Sequence, residues 1–189
     1  MKKLIALCSL ILLVGIAIAG GNKTNPIPFD SATQKFAYRK IVEVPGATAN
    51  ALYLRSKNWS KVKFADEKFL IDEPDAKLTT LGNFTVNVTM KAMMKIPFVY
   101  IVTYTVSTEF KDGKSKIDIT NIKLSQNAKG NSAEQTLEGF EKQVESMGIG
   151  KNMAKPFMFD VCNEIDTNLL KVIAELEAAL KGSNKISDW

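Results

Sequence analysis

From Phe98 to Phe110 the chain reads FVYIVTYTVSTEF, thirteen residues that alternate almost without a break. Phe98, Tyr100, Val102, Tyr104, Val106 and Phe110 share one parity; Val99, Ile101, Thr103, Thr105, Ser107 and Glu109 share the other. Successive side chains of a strand point to opposite faces, so this predicts a long strand, aromatic and aliphatic on one side and rich in hydroxyls on the other. Lys111-Asp112-Gly113-Lys114 follows. An Asp-Gly pair between alternating runs predicts a two-residue hairpin of type I′, with positive φ at both positions. Ser115–Leu124 is then the returning strand. Ile117 and Ile119 have one parity, Ile122 and Leu124 the other, which predicts a bulge near Thr120-Asn121.

The flanking sequence extends this sheet. Phe36–Val44 predicts a strand with Phe36, Tyr38, Val42 and Val44 inward, ended by Pro45-Gly46. Thr48 is a natural N-cap for a helix whose stripe is Leu52, Trp59 and Val62, with Ser56 filling the gap. Strands are expected at Lys68–Asp72 and Lys77–Leu81, with Gly82 marking a bulge or bend. Asn83–Met90 alternates: Phe84, Val86, Val88 and Met90 against Asn83, Thr85, Asn87 and Thr89. Lys91–Pro97 reads as a linker and Ser125–Asn131 as a loop. Ser132–Met147 carries Leu137, Phe140, Val144 and Met147 at helical spacing, stopped by Gly148 and Gly150. A final helix is expected with Pro156 in its first turn, Met158, Cys162, Ile165, Leu169, Val172, Leu176 and Ala179 along one side, and Gly182 at its end. The order β-α-β-β-β-β-α predicts an α+β two-layer sandwich, an antiparallel sheet with helices on one face, plus a helical C-terminal tail.

The N-terminus has a different grammar. Lys2 and Lys3 precede an uncharged apolar run, Leu4–Ile18, which ends in Ala17-Ile18-Ala19. A short basic region, an apolar stretch of about fifteen residues and a small-residue exit form the pattern of a cleavable secretory signal, and the run is short for a bilayer span. Residues 1–19 are therefore expected to be a signal peptide, with the mature chain starting at Gly20 and crossing no membrane. A permanent anchor and a lipidated Cys8 are the alternatives; Leu7 before Cys8, and the apolar run after it, argue against lipidation. Residues 20–34, with Gly, Asn and two prolines and no periodicity, are expected to be a flexible tether. The domain is then 35–124, and 125–189 is a helical segment packing on it or extending it.

Cleavage leaves 23 basic and 20 acidic residues, a net charge of +3. No basic run tracks a phosphate backbone, so nucleic acid is not an expected partner. The chain has no histidine, which removes Ser-His and Cys-His nucleophiles and the commonest metal ligand. Cys162 is the one cysteine beyond the signal; on an apolar stripe it reads as a small buried group rather than a reactive thiol. Asp72, Glu73 and Asp75 cluster without the spacing of a calcium loop, so a solvated turn is the better reading. No catalytic residue, cofactor or metal site is predicted.

The stretch from Lys40 to Leu124 resembles a domain of unknown function with a TBP-like fold, found in exported proteins of Bacteroidota. The likeness is carried by VEVPG (Val42–Gly46), ALYLRSKNW (Ala51–Trp59), DEPDAKLTTLG around Asp75, YTVSTEFKDGK (Tyr104–Lys114) and KIDITNI (Lys116–Ile122). It implies a fold and no activity, and the fold name does not imply DNA binding.

What remains is a set of expectations about contacts. The opposite sheet face should carry Thr85, Asn87, Thr103 and Thr105, a polar, nearly uncharged array suited to a neutral polar ligand or another protein's sheet. The plain solvent side of a half-buried sheet would look the same. Asp30-Ser31-Ala32 resembles a short O-glycosylation motif of exported Bacteroidota proteins, with Ser31 as acceptor. The expected function is that of an exported, non-catalytic binding or interaction module of the periplasm or outer envelope. The alternatives are a structural partner that docks or dimerises through its last helix, and a histidine-independent enzyme.

Overall fold

The computed structural model describes residues 24–64, 69–91, 95–126, 134–148 and 150–182. The expected signal peptide and its cleavage site lie outside them, as do parts of the expected linker and loop.

The main sheet is antiparallel and six-stranded. β3 (Tyr38–Glu43), β4 (Phe69–Glu73), β5 (Lys77–Lys91), β6 (Lys95–Lys111) and β7 (Lys114–Gln126) run in the order β3-β7-β6-β5-β4, and β8 (Glu134–Thr136) also pairs with β7. The expected linker is thus partly strand, and Lys77–Leu81 and Asn83–Met90 are one strand. Gly82 sits in unbroken register opposite Tyr104, so it marks no bulge. Its reason is close approach: a Cβ there would lie 2.5 Å from Cζ of Tyr104. The bulge at Thr120-Asn121 is present: the β6–β7 register shifts between Thr103 and Thr105, and Asn121 has φ +52°. It turns the later residues of β7 over, so that Ile117, Ile119, Ile122 and Leu124 are all buried on one face.

The hairpin tip departs from expectation. Gly113 has φ +78°, but Asp112 is not among the residues with positive φ, which is the sign pattern of a type II rather than a type I′ turn. The tip is bonded to the segment before the first helix. The Gly113 N–H donates to the Ala47 carbonyl and the Val44 N–H to that of Gly113, both at 2.8 Å.

Three helices cover the aromatic face. α1 (Ala49–Lys63) is capped by Thr48, whose hydroxyl accepts from the Ala51 N–H. It buries Leu52, Tyr53, Ser56, Trp59 and Ser60, while Val62 is 76 % exposed; the stripe runs through tyrosine and serines, so apolar spacing alone misplaced Val62. α2 (Leu137–Ser146) starts five residues later than expected, because residues 134–136 pair with β7 and Thr136 then caps Gly139. Leu137, Phe140 and Val144 are buried, but Met147 lies just past the helix and is 40 % exposed. α3 (Lys151–Leu180) begins before Pro156, which occupies the helix interior. The missing proline N–H leaves the Asn152 carbonyl without its helical donor, on an exposed turn where water can serve it. The whole predicted stripe of α3, from Met158 to Ala179, is buried. Each large aliphatic there contributes about 1.5–3 kcal/mol relative to exposure. A C-terminal helix free to dock through that stripe is therefore not what the fold presents. No described helix is long and apolar enough to cross a membrane.

Part of the segment expected to be a tether packs on the domain. β1 (Phe29–Asp30) and β2 (Lys35–Phe36) form a small hairpin, Ile27 is 2 % exposed, and the Phe36 N–H donates to Glu138 of α2.

Candidate functional site

The strand pairing brings Thr85, Asn87, Thr103 and Thr105 onto one face, opposite the helices, as their parity requires. Thr85 lies across from Ile101, Asn87 across from Val99, and Thr103 and Thr105 follow along β6. Their situations differ. Thr103 donates to the Glu134 carboxylate at 3.1 Å, and Thr105, 9 % exposed, accepts from Asn121 at 3.4 Å. Thr79 and Ser107 bond each other at 3.0 Å. Thr85 and Asn87 are exposed. Val99 and Ile101 are half-buried and adjoin on this face of β6, and Leu81 is exposed opposite Thr105, separated from them by the Asn83–Thr103 pair. Charges at its edges are paired, as in Arg39 with Asp118 at 2.7 Å and Lys123 with Glu134 at 2.8 Å.

A second feature lies on the helix face, at the end of the sheet remote from the Asp112 hairpin. The far ends of β5, β6 and β7 meet α2 and α3 around a cavity of about 700 Å³. Its walls are Met90, Phe98 and Tyr100 from the sheet, Phe140 and Val144 from α2, and Ala154 and Phe157 from α3. The rings are packed together: Phe98 and Phe157 centroids are 4.9 Å apart, and Tyr100 lies 6.1 Å from Phe140. Met147 and the 56 % exposed Met153 stand at the mouth, and Gln126, Gln135 and Gln143 supply the polar lining. None of the described lining residues carries a charge. Tyr100 is the one titratable side chain among them, and burial alone pushes its phenol up. A volume of this size, mostly apolar with a few uncharged hydrogen-bonding groups, is what small-molecule sites have in common.

Sequence reasoning missed this cavity. Its described residues come from six separate elements and the connection between α2 and α3, and Phe140, Val144 and Met147 read from the sequence as an ordinary core stripe. A possible signal was the crowding of Met90, Met147 and Met153 with three glutamines near the strand and helix ends; no spacing connects them.

The other candidates are structural in character. Asp72 accepts from Tyr53 at 2.6 Å and pairs with Lys57 at 2.7 Å. The Lys57 and Tyr53 bonds hold its carboxyl below the usual range. Asp75 accepts from Asn50 at 2.6 Å. Among the described residues no group of three His, Cys, Asp or Glu could hold a metal ion. Cys162 is fully buried, and burial first, then Glu141, pushes its thiol up to about 12. At neutral pH it is a protonated, inert thiol. A smaller polar cleft of about 250 Å³ separates Asn87 and Thr89 from Asp160, Asn163 and Glu164. Ser31 is exposed at the tip of the β1–β2 hairpin, where the Asp30 carboxylate accepts from the Ala32 N–H at 2.9 Å.

Residues 38–125 match a protein family described as a domain of unknown function (DUF4468) with TBP-like fold. Among solved structures the chain is similar to a DUF4468 family protein from Bacteroides ovatus, with a TM-score of 0.55 at 12 % identity, over 79 % of this chain and 90 % of that one. It is also similar to a TBP-like protein from Parabacteroides distasonis, with a TM-score of 0.59 at 13 % identity, over 82 % of this chain and 97 % of that one. At such identities the likeness shows the fold, and it agrees with the resemblance read between Lys40 and Leu124. No curated protein matches the chain.

Proposed function

We propose that this chain, whose residues 38–125 match the TBP-like domain of unknown function, is an exported, non-catalytic binding module of the periplasm or outer envelope. The observation that carries the reading is the cavity beneath Phe98 and Phe157: a formed, mostly apolar space with no charged group among its described lining residues. Such a lining supports retention of a ligand and offers nothing suited to general acid–base or nucleophilic work near neutral pH. Export is supported by Lys2-Lys3, the apolar run Leu4–Ile18 and the Ala17-Ile18-Ala19 exit.

The test is binding of a neutral apolar dye, N-phenyl-1-naphthylamine, followed by its fluorescence. The expected result is saturable one-to-one binding that Ala154→Trp, which fills the cavity, abolishes while the circular dichroism spectrum is kept. Absence of saturable binding, or binding indifferent to Ala154→Trp, overturns the reading.

A second reading is favoured by a separate observation. Val99 and Ile101 form a half-buried apolar patch opposite Asn87 and Thr85, and the exposed Leu81 lies apart from it, opposite Thr105, a surface suited to another envelope protein. Ser31 as an O-glycan acceptor also remains part of the proposal, supported by its exposure at a hairpin tip. The intact mass of the protein purified from its native host tests it; an unmodified mass removes it.

A further inference from the structure

Resting on that cavity as a binding site, we propose that its ligand is a neutral amphiphile, an apolar chain or ring system bearing an uncharged amide or hydroxyl group. The register places the polar contacts. Gln126 lies across from Tyr100, and Gln135 across from Leu124, so both carboxamides belong to the helix face at this end of the sheet. Gln143 of α2 lines the cavity with them. Among the described residues, the side chains of these three glutamines have no bonding partner, and neither has the Tyr100 hydroxyl. Each carboxamide can both donate and accept. They are thus free to serve a group that does the same, while Phe98, Phe140 and Phe157 cover its apolar part.

The charge pattern excludes the obvious alternative, a fatty acid. A carboxylate drawn into an apolar site without a cation loses hydration that the uncharged carboxamide donors replace only in part. None of the described lining residues supplies a cation. The charges flanking the cavity on α2 and α3 have both signs: Glu141, Lys142 and Glu145 beside Gln143, and Lys151 after Gly150. The rim therefore has no single-sign field to select an anion. The methionines at the mouth, Met147 and Met153, have the side-chain freedom to close around tails of differing shape.

The experiment compares decanamide with decanoate at pH 8, each displacing N-phenyl-1-naphthylamine from the purified full chain. Decanamide is expected to bind at least tenfold more tightly. Gln126→Leu and Gln135→Leu should each weaken decanamide about tenfold, yet leave the affinity for the dye within about twofold, which also shows that the variants are folded. Equal binding of amide and acid, tighter binding of decanoate, or indifference to both substitutions overturns the proposal while the cavity stands as a binding site. Failure of the dye itself to bind overturns both.

Discussion

The carboxylate of Asp112, at the tip of the β6–β7 hairpin, accepts a 2.8 Å hydrogen bond from the backbone N–H of Ala49, the first residue of α1. This hairpin thus caps the helix that crosses its own sheet, and Thr48 serves Ala51 from the helix side at 3.2 Å. The bond ties the first N–H of the helix to an acceptor sixty-three positions away in sequence.

Asp112→Ala should therefore lower stability by about 0.5–2 kcal/mol, the usual cost of losing a helix cap. Asp112→Asn keeps an acceptor and should lose less. Urea midpoints compare the two; equal loss for both, or none for Ala, would show that the bond does not hold in solution.

Gly82 and Tyr104 form a second cross-strand relationship, argued from space. The Tyr104 ring, buried among Phe64 and Phe84, covers the backbone of Gly82 where a Cβ would fall. Gly82→Ala should cost about 1–3 kcal/mol, as overpacking of a filled core does. Adding Tyr104→Leu should make the pair cost less than the sum of the two changes, because neighbours in contact are not additive. Strict additivity in a double-mutant cycle would refute the contact.

Trp59 and Val62 separate two readings of α1. Trp59 is 5 % exposed and packs edge-on against Phe64, with centroids 5.5 Å apart. Trp59→Ala should cost about 3–5 kcal/mol, whereas Val62→Ala should stay within about 0.5 kcal/mol, as exposed changes do. Comparable melting temperatures for the two variants would put the helix in the wrong phase.

The same helix shows why some of the molecule was legible in sequence and some was not. Strand parity is strict, so Phe98–Phe110 revealed both faces of β6, and the parity change between Ile119 and Ile122 located the bulge at Asn121. Helix phase is looser. Ser56 was read as filling the inward stripe of α1, but Tyr53 and Ser60 are buried there too, and a polarity pattern does not single out such residues on the inner side. The turn at Asp112 was misread because its conformation depends on Ala47 and Ala49, sixty residues earlier. For the contact face, parity sufficed to bring Thr85, Asn87, Thr103 and Thr105 together, but not to show that Glu134 and Asn121 engage the last two. The cavity was illegible for a further reason: its walls come from the ends of elements far apart in sequence, which only the tertiary fold brings together.

Glu141 of α2 provides the pH dependence. It is half-buried next to the folded N-terminal segment, and burial raises its carboxyl; repulsion from Glu145 and Glu138 adds to this, while the Asn25 side chain opposes it. A carboxyl raised in the folded state holds its proton more tightly there than in the unfolded chain. The native state therefore binds more protons over the interval between the two values, and stability falls as pH rises through it. The penalty is complete above the folded value and absent below the unfolded one. Glu141→Gln removes the charge and keeps the shape and an acceptor for Asn25. It should raise the melting temperature at pH 8, and the difference from the unsubstituted protein should shrink as pH falls toward 4. Glu145→Gln should shift the protein in the same direction by less, since it relieves only the repulsion. Thermal melts of the three proteins across that range decide the matter: an E141Q protein that melts at or below the parent at pH 8 would mean that the ionised carboxylate is held by partners that outweigh its burial.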